Sequence, residues 1–185
     1  MIDTFKRLWR GILVGVLAMA LVVTVSNVVV QYAINDWLTW AAFTYPIAFL
    51  VTDLSNRSLG PVAARMVVYA GFLTGVALSL VFSDPRIAIA SGTAFLVAQL
   101  LDVQIFDRLR RASWWKAPLA SSGIASVVDT ALFFSLAFAG TEVPWITLAA
   151  GDLVVKFFMA SCLLLPYRLL MRSLPPMRLS SSQAA

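Results

Sequence analysis

Five charged residues lie in stretches of the chain that are otherwise apolar enough to cross a lipid bilayer. They are Asp53, Asp102, Asp129, Asp152 and Lys156. An aspartate or lysine at the centre of a membrane-spanning helix costs about 2.5 to 3.5 kcal/mol of insertion free energy on translocon scales. We therefore expect these side chains to face a protein interior or a water-filled cavity, where a carboxylate can accept hydrogen bonds from a ligand.

The spacing of these residues places them at two depths. Asp152 and Lys156 are four residues apart, so they lie on one helical face and can pair across a single turn. At a rise of about 1.5 Å per residue, Asp129, Asp152 and Lys156 fall near the membrane midplane. Asp53 and Asp102 fall nearer the cytoplasmic ends of their helices. Pairing of Lys156 with Asp152 leaves three carboxylates without an intramembrane base.

Those three carboxylates have three ways to avoid an isolated charge. They can be protonated, they can meet an arginine near the inner membrane surface such as Arg57 or Arg65, or they can bind a ligand that donates hydrogen bonds. The surplus of buried acceptors therefore favours a ligand that carries several donors.

Amide and aromatic side chains extend the same helical faces. Gln99 lies three residues before Asp102, with Phe106 one turn further, and Asn27 belongs to a polar stripe on the first apolar run. Carboxylates can accept from the edge of a guanine-like ring, and an amide can donate and accept at once. An aromatic side chain such as Phe106 or Tyr45 can stack on the ring. The pattern favours a flat, polar heterocycle as ligand.

The composition places the chain in a membrane. Hydrophobic residues make up 61% of its 185 residues and charged residues 12%, which excludes an ordinary soluble domain. The mean hydropathy is +0.87. We predict one all-α domain over 1–178 and a disordered tail over 179–185. Cys162 is the sole cysteine and histidine is absent, so the sequence predicts no intrachain disulfide, no metal site and no cofactor.

The apolar runs predict a bundle of six transmembrane helices, separated by Gly, Pro, Ser, Asn and Asp. Their expected limits are about 11–33, 37–54, 61–82, 87–106, 117–139 and 143–169.

The basic residues predict the orientation of this bundle. If the N-terminus is cytoplasmic, the 14 Lys and Arg residues all lie in or beside cytoplasmic segments, except Arg86 in an outer loop and Lys156 within a helix. We therefore expect both termini in the cytoplasm. The net charge is +5, but the basic residues form no patch with aromatic residues between them, so we expect no nucleic-acid partner.

Several polar elements recur in the order and spacing of a known family. The segment Val51-Thr52-Asp53-Leu54 resembles its TDL element, and Gln99 to Arg110 resembles its QxxDxxxFxxLR stretch. The pattern is completed by Trp114-Trp115-Lys116-Ala117-Pro118, Ser121, Asp129, Asp152 and Lys156. Over about 45–168, the chain is similar to the queuosine precursor transporter family, also called the vitamin uptake transporter family.

The resemblance implies an importer of the bacterial inner membrane and no enzymatic activity. Its implied substrate is a 7-deazapurine, chiefly 7-cyano-7-deazaguanine or its aminomethyl relative, from which the queuosine of transfer RNA is made. The residues implied to line the substrate site are Asp53, Gln99, Asp102, Asp129, Asp152 and Lys156. The helical pattern adds Asn27 and Phe106 to this set. The outer loop around Ser83 to Arg86 is shorter than in longer relatives.

Three classes of function fit these residues at this stage. The first is a self-sufficient secondary transporter, whose carboxylates at membrane depth can couple uptake to protons. The second is the substrate-binding subunit of an energy-coupling-factor importer, which requires a separate ATPase. The third is an intramembrane aspartyl protease built on Asp129 and Asp152, but its GxGD signature fails because residue 149 is alanine.

Two GxxxG spacings raise the question of self-association. They are Gly11 to Gly15 and Gly71 to Gly75. Such motifs allow helix backbones to approach closely, either inside one bundle or between two copies. Close packing within the bundle is the favoured interpretation, and a homodimer is the partner that the alternative predicts.

Overall fold

The computed structural model describes residues 2–29, 32–35, 38–82 and 84–174. The predicted tail over 179–185 lies outside this part of the chain. The described helices are α1 (Ile2–Val29), α2 (Ala41–Thr44), α3 (Ile47–Leu59), α4 (Pro61–Phe82), α5 (Pro85–Leu109), α6 (Lys116–Phe138) and α7 (Trp145–Ser173). Two short strands, β1 (Ala33–Asn35) and β2 (Leu38–Thr39), pair antiparallel between α1 and α2. The predicted all-α class is confirmed.

Five of these helices are long and apolar enough to cross a membrane: α1, α4, α5, α6 and α7. The helical hydrogen bonds of the second predicted span, 37–54, are interrupted at Tyr45 and Pro46, between α2 and α3, although both residues keep right-handed helical dihedral angles. Pro46 has no backbone N–H and cannot continue the hydrogen-bond ladder of a helix. With 13 residues, α3 is about 20 Å long, shorter than the hydrocarbon core of a bilayer. The count of six crossings stays a prediction.

Two helix limits differ from the sequence prediction in ways that matter for the site. α1 begins at Ile2 rather than near Gly11, so its basic residues belong to the helix. α3 continues to Leu59 and ends at Gly60, whose φ of 91° suits glycine. Asp53 therefore lies in the middle of α3 and not at its inner end, because the polar residues after it are helical.

The α3 helix is the centre of the bundle. It packs against α1, α4, α5, α6 and α7. α1 and α4 approach closely through the predicted glycines: a Cβ placed on Gly15 would lie 2.8 Å from Val67 Cγ2, and one on Gly71 would lie 2.5 Å from Met19 Cγ. Close packing of the GxxxG residues inside the chain is thus confirmed, and these glycine faces are already covered.

Arg86 has a structural role at the predicted outer end. Its Nε donates to the carbonyl of Leu136 at 3.0 Å, and its Nη2 donates to the carbonyl of Ala139 at 2.6 Å. These carbonyls belong to the C-terminal end of α6, where backbone oxygens have no helical partner. The guanidinium therefore joins the start of α5 to the end of α6.

Candidate functional site

Lys156 of α7 lies between two carboxylates. Its Nζ is 2.7 Å from Asp129 Oδ2 of α6 and 2.5 Å from Asp152 Oδ2, one turn earlier on α7. The hydroxyl of Thr130 accepts from Lys156 Nζ at 3.0 Å and lies 2.8 Å from Asp152 Oδ2, to which it donates. We call these four residues the lysine cluster. It lies where α6 packs against α7.

The lysine cluster confirms one prediction and corrects another. Asp152 and Lys156 pair across a helical turn as expected. Asp129 also has a base, contrary to the prediction, because the packing of α6 on α7 brings it to the level of Lys156. The two aspartate side chains remain about one fifth exposed, at 20% and 21%. Their oxygens can therefore still accept hydrogen bonds from a ligand.

Asp53 of α3 and Asp102 of α5 form a second group, the aspartate pair. Ser121 Oγ of α6 donates to Asp53 Oδ1 at 3.3 Å. Ser122 Oγ lies 3.3 Å from Asp53 Oδ2 and 3.5 Å from Asp102 Oδ1. One hydroxyl has one proton to donate, so Ser122 cannot satisfy both carboxylates at once.

The aspartate pair is fully buried and has no compensating cation within the described residues. Asp53 is 2% exposed and Asp102 is 0% exposed. No lysine or arginine in the described part of the chain forms an ion pair with either carboxylate. Asp102 Oδ2 has no hydrogen-bond partner there. Such an oxygen is costly in a protein interior unless a proton or a ligand meets it.

Gln99 lies between these two groups on α5. Thr52 Oγ1 of α3 donates to Gln99 Oε1 at 2.6 Å, which fixes the orientation of the amide. The contacts among described residues give the amide NH₂ of Gln99 no acceptor. Gln99 lines a cavity, so this NH₂ is available to donate to a bound molecule.

Two cavities adjoin at Pro46, Phe49 and Lys156, which line both of them. The space between atoms is about 250 Å³ in the Gln99 cavity and about 320 Å³ in the Asp53 cavity, and both values include space that is open to the exterior. The other residues of the Gln99 cavity are Tyr45, Phe95, Ala98, Gln99 and Asp129. The other residues of the Asp53 cavity are Leu50, Asp53, Ser122, Ser126, Ala160, Leu163, Leu164 and Tyr167. Lys156 thus presents its ammonium group at the wall between two spaces.

Asn27 and Phe106 line neither of these cavities. Asn27 Nδ2 donates to the carbonyl of Val23 at 2.9 Å and lies 3.5 Å from the hydroxyl of Tyr45. It therefore contacts an aromatic residue of the Gln99 cavity. Phe106 is 1% exposed and packs against Tyr167 at 6.5 Å between ring centroids. The aromatic rings at the Gln99 cavity belong instead to Tyr45, Phe49 and Phe95.

Sequence reasoning missed the roles of Thr52 and Thr130. Each is the immediate neighbour of a predicted aspartate, and each hydroxyl contacts a predicted site residue on another helix. Adjacent residues on a helix point about 100° apart, so the face selected by Asp53 or Asp129 excludes its neighbour. The signal available was the position of Thr52 inside the TDL element.

Arg110, the last residue of the QxxDxxxFxxLR stretch, holds the end of α3. Its Nη2 donates to the carbonyl of Asn56 at 2.8 Å, and its Nη1 donates to the carbonyl of Arg57 at 3.3 Å. Asn56 Nδ2 in turn donates to the carbonyl of Val103 at 2.8 Å. These bonds fix α3 against α5 just beyond the aspartate pair. Arg110 therefore helps to hold together the two helices that carry Asp53 and Asp102.

The buried ionisable groups, the paired cavities and the apolar helices are typical of a membrane transporter. Residues 77–171 match the family described as "Putative vitamin uptake transporter". The chain belongs to this family, which is also the queuosine precursor transporter family. It is a multi-pass protein of the bacterial inner membrane.

Three relatives carry related names. A "Probable queuosine precursor transporter" of Haemophilus influenzae is 35% identical over 72% of this chain and 69% of its own length. The "Queuosine precursor transporter" of Escherichia coli is 34% identical over 79% of each chain. A "Probable queuosine precursor transporter" of Bacillus subtilis is 29% identical over 66% of each chain. No solved structure matches the chain significantly.

Proposed function

We propose that this protein imports a queuosine precursor, 7-cyano-7-deazaguanine or a related 7-deazapurine, across the inner membrane. The observation that carries the proposal is the Gln99 cavity. The donors at its wall are the amide NH₂ of Gln99 and the ammonium group of Lys156, and its acceptor is Asp129. A guanine-like ring presents a carbonyl acceptor beside N–H donors, which matches this set. The relatives' names support the same substrate class.

The predicted binding residues divide into three roles in this proposal. Gln99, Asp129 and Lys156 contact the polar edge of the substrate. Asp152 holds Lys156 in place through their ion pair. Asn27 orients the hydroxyl of Tyr45, whose ring stacks on the substrate together with Phe49. An aromatic wall with few, well-placed polar groups is the usual construction of a small-molecule site.

The proposal gives no direct substrate contact to Asp53, Asp102 and Phe106. Asp53 lines the neighbouring cavity, which the substrate enters on its way through the bundle. Phe106 supports that region by packing on Tyr167. Asp102 lines neither cavity, and its role is considered in the following subsection.

We further propose that the protein works as a secondary transporter with six crossings and both termini in the cytoplasm. The orientation rests on the distribution of Lys and Arg. The secondary mechanism rests on carboxylates buried among the helices, where they can bind a coupling ion. The alternative, a substrate-binding subunit of an energy-coupling-factor importer, is distinguished by the experiment below.

Uptake by the purified protein alone tests this function. We expect proteoliposomes that contain no other protein to take up labelled 7-cyano-7-deazaguanine and to leave guanine outside. Gln99→Ala removes the amide donor and acceptor at the cavity wall, so binding and uptake should be lost. The matched control is Gln104→Ala, which truncates an exposed glutamine of the same helix.

Three results would count against the proposal. If Gln99→Ala and Gln104→Ala transport equally well, the Gln99 cavity does not bind the substrate. If guanine is taken up as well as the 7-deazapurine, the substrate class is wrong. If uptake requires ATP and copurifying ATPase subunits, the protein is the substrate-binding subunit of a larger importer.

A further inference from the structure

The aspartate pair has the construction of an ion-binding site that is separate from the substrate contacts. Two carboxylates and two hydroxyl groups converge where α3, α5 and α6 meet. Asp102 Oδ2 is buried there without a partner in the described chain. Arg57 lies one turn after Asp53 on α3, but no ion pair joins the two in the described chain. The lysine cluster begins seven residues along α6 from Ser122. That spacing corresponds to about 10 Å.

The charge of the aspartate pair has to be compensated from elsewhere. Lys156 lines the Asp53 cavity, but its ammonium group is already shared by Asp129 and Asp152. Two ionised carboxylates buried side by side repel each other, and such pairs retain one proton between them. A proton shared by the pair also gives Asp102 Oδ2 the hydrogen-bond partner that it lacks.

We propose that the aspartate pair binds the proton that drives transport. The inference rests on the proposed transport function and adds its coupling ion and the site of that ion. The proton is held by Asp53 and Asp102 together, and its release leaves two like charges in a dry interior. Water must then enter between α3 and α5, or the two helices must separate.

The positions of residues along α3 and α5 connect release of the proton to binding of the substrate. Thr52 precedes Asp53, and Gln99 lies one turn before Asp102 on the face that contacts α3. A separation of α3 and α5 at the aspartate pair therefore also changes the bond from Thr52 to Gln99. Loss of the proton and release of the substrate are thus coupled through the same two helices.

A proton fits this site better than a sodium ion. Sodium sites in transporters use backbone carbonyls from unwound helix segments in addition to side chains. Asp53, Asp102, Ser121 and Ser122 all lie within helical segments, where carbonyls are engaged in the helical ladder. A proton needs no further ligands beyond the carboxylate oxygens.

Other charged groups on the packed elements set the environment of the pair. Tyr167 lines the Asp53 cavity and is within electrostatic reach of Asp53, Arg57 and Arg110. Arg57 Nε is buried without a partner in the described residues. The titratable groups contributed by the surrounding helices are Arg57 of α3, Arg110 after α5, Asp129 of α6, and Lys156 and Tyr167 of α7, whereas Arg65 of α4 is exposed.

The experiment separates proton coupling from substrate binding in proteoliposomes. Accumulation of labelled 7-cyano-7-deazaguanine is measured under an inward proton gradient, and counterflow of labelled against unlabelled substrate is measured at equal pH. We expect the unaltered protein to accumulate substrate under the proton gradient and not under a sodium gradient. Both Asp102→Asn and Asp53→Asn should lose accumulation, and Asp102→Asn, which lines neither cavity, should retain counterflow. Glu142→Gln, an exposed acidic residue in a loop, is the control.

The two proposals fail in different ways in this experiment. If the unaltered protein shows no counterflow, the proposed function fails. If counterflow is present but accumulation follows the sodium gradient, or if both asparagine variants still accumulate substrate, only the proton site is wrong.

A further variant keeps the test decisive if the asparagine variants do not fold and lose counterflow as well. Ser122→Ala retains both carboxylates and removes the hydroxyl between them. Because that hydroxyl stabilises an ionised carboxylate, its loss should move the pH of half-maximal uptake upward. An unchanged pH profile would overturn the proposal.

Discussion

The lysine cluster and the aspartate pair place the same acidic side chain in opposite electrostatic settings. In the lysine cluster two carboxylates share one ammonium group and stay partly exposed. In the aspartate pair the Ser122 hydroxyl contacts both carboxylates and the Ser121 hydroxyl donates to Asp53. Both carboxylates are buried, and neither has an ion pair among the described residues. The first arrangement offers acceptors to a ligand, whereas the second is suited to hold a proton. The role that an acidic residue can take in a membrane bundle therefore depends more on its partners than on its depth.

The largest expected effect is a difference in protein stability between a variant of the lysine cluster and a variant of the aspartate pair. Lys156→Met leaves Asp129 and Asp152 without their cation, and breaking a buried pair by removing one partner costs about 3 to 5 kcal/mol. Asp102→Asn removes a carboxylate that has no cation to lose, so the variant should unfold at or above the temperature of the unaltered protein. Thermal unfolding in detergent measures both variants. Equal destabilisation of the two variants would contradict the electrostatic difference between the lysine cluster and the aspartate pair.

The next effect tests whether the lysine cluster acts on the substrate or only on the fold. The triple variant Asp129→Asn, Asp152→Asn and Lys156→Met contains no buried charge in this cluster. It should recover most of the stability lost in Lys156→Met, since neutral replacements of a whole buried ion pair are often tolerated. It should still fail to take up substrate in proteoliposomes, because the donor to the substrate is gone. Recovery of uptake would reduce the cluster to a structural role.

The smallest effect concerns the connection between the two groups. Thr52→Val preserves the shape of the side chain and removes the hydrogen bond to Gln99 Oε1. The loss of one such bond is worth about 1 kcal/mol, so substrate affinity should fall about fivefold. Thr74→Val is the control, because the hydroxyl of Thr74 donates only to the carbonyl of Ala70 in its own helix. Titration calorimetry of both variants gives the comparison, and equal affinities would contradict a positioning role for Thr52.

The sequence predicts much of the helical framework because apolar length and helix limits are local properties. The predicted span 61–82 coincides with α4, and the span 117–139 is displaced by one residue from α6. The interruption at Pro46 was not predicted, because the residues on both sides are apolar and hydropathy continues across it. A proline alone does not distinguish a bent helix from two separate helices.

The candidate site was predictable only where its geometry lies within one helix. The pair of Asp152 and Lys156 follows from a spacing of four residues. The second carboxylate on Lys156, and the meeting of Asp53 with Asp102, depend on which helices are neighbours, and periodicity does not contain that information. The same limit applies to Phe106, whose face was predicted but whose neighbour, Tyr167, lies on another helix.

The break at Pro46 has a consequence for how the chain meets lipid. In a continuous helix the amide of residue 46 would donate to the carbonyl of Ala42, and proline has no such amide. A peptide oxygen without a donor costs several kcal/mol in hydrocarbon, so a gap in the helical hydrogen bonds at membrane depth is tolerated where it borders protein or water rather than lipid. Pro46 lines both cavities, so the gap in the ladder borders internal space of the bundle. The chain can therefore lose a helical hydrogen bond at this point without exposing the break to lipid.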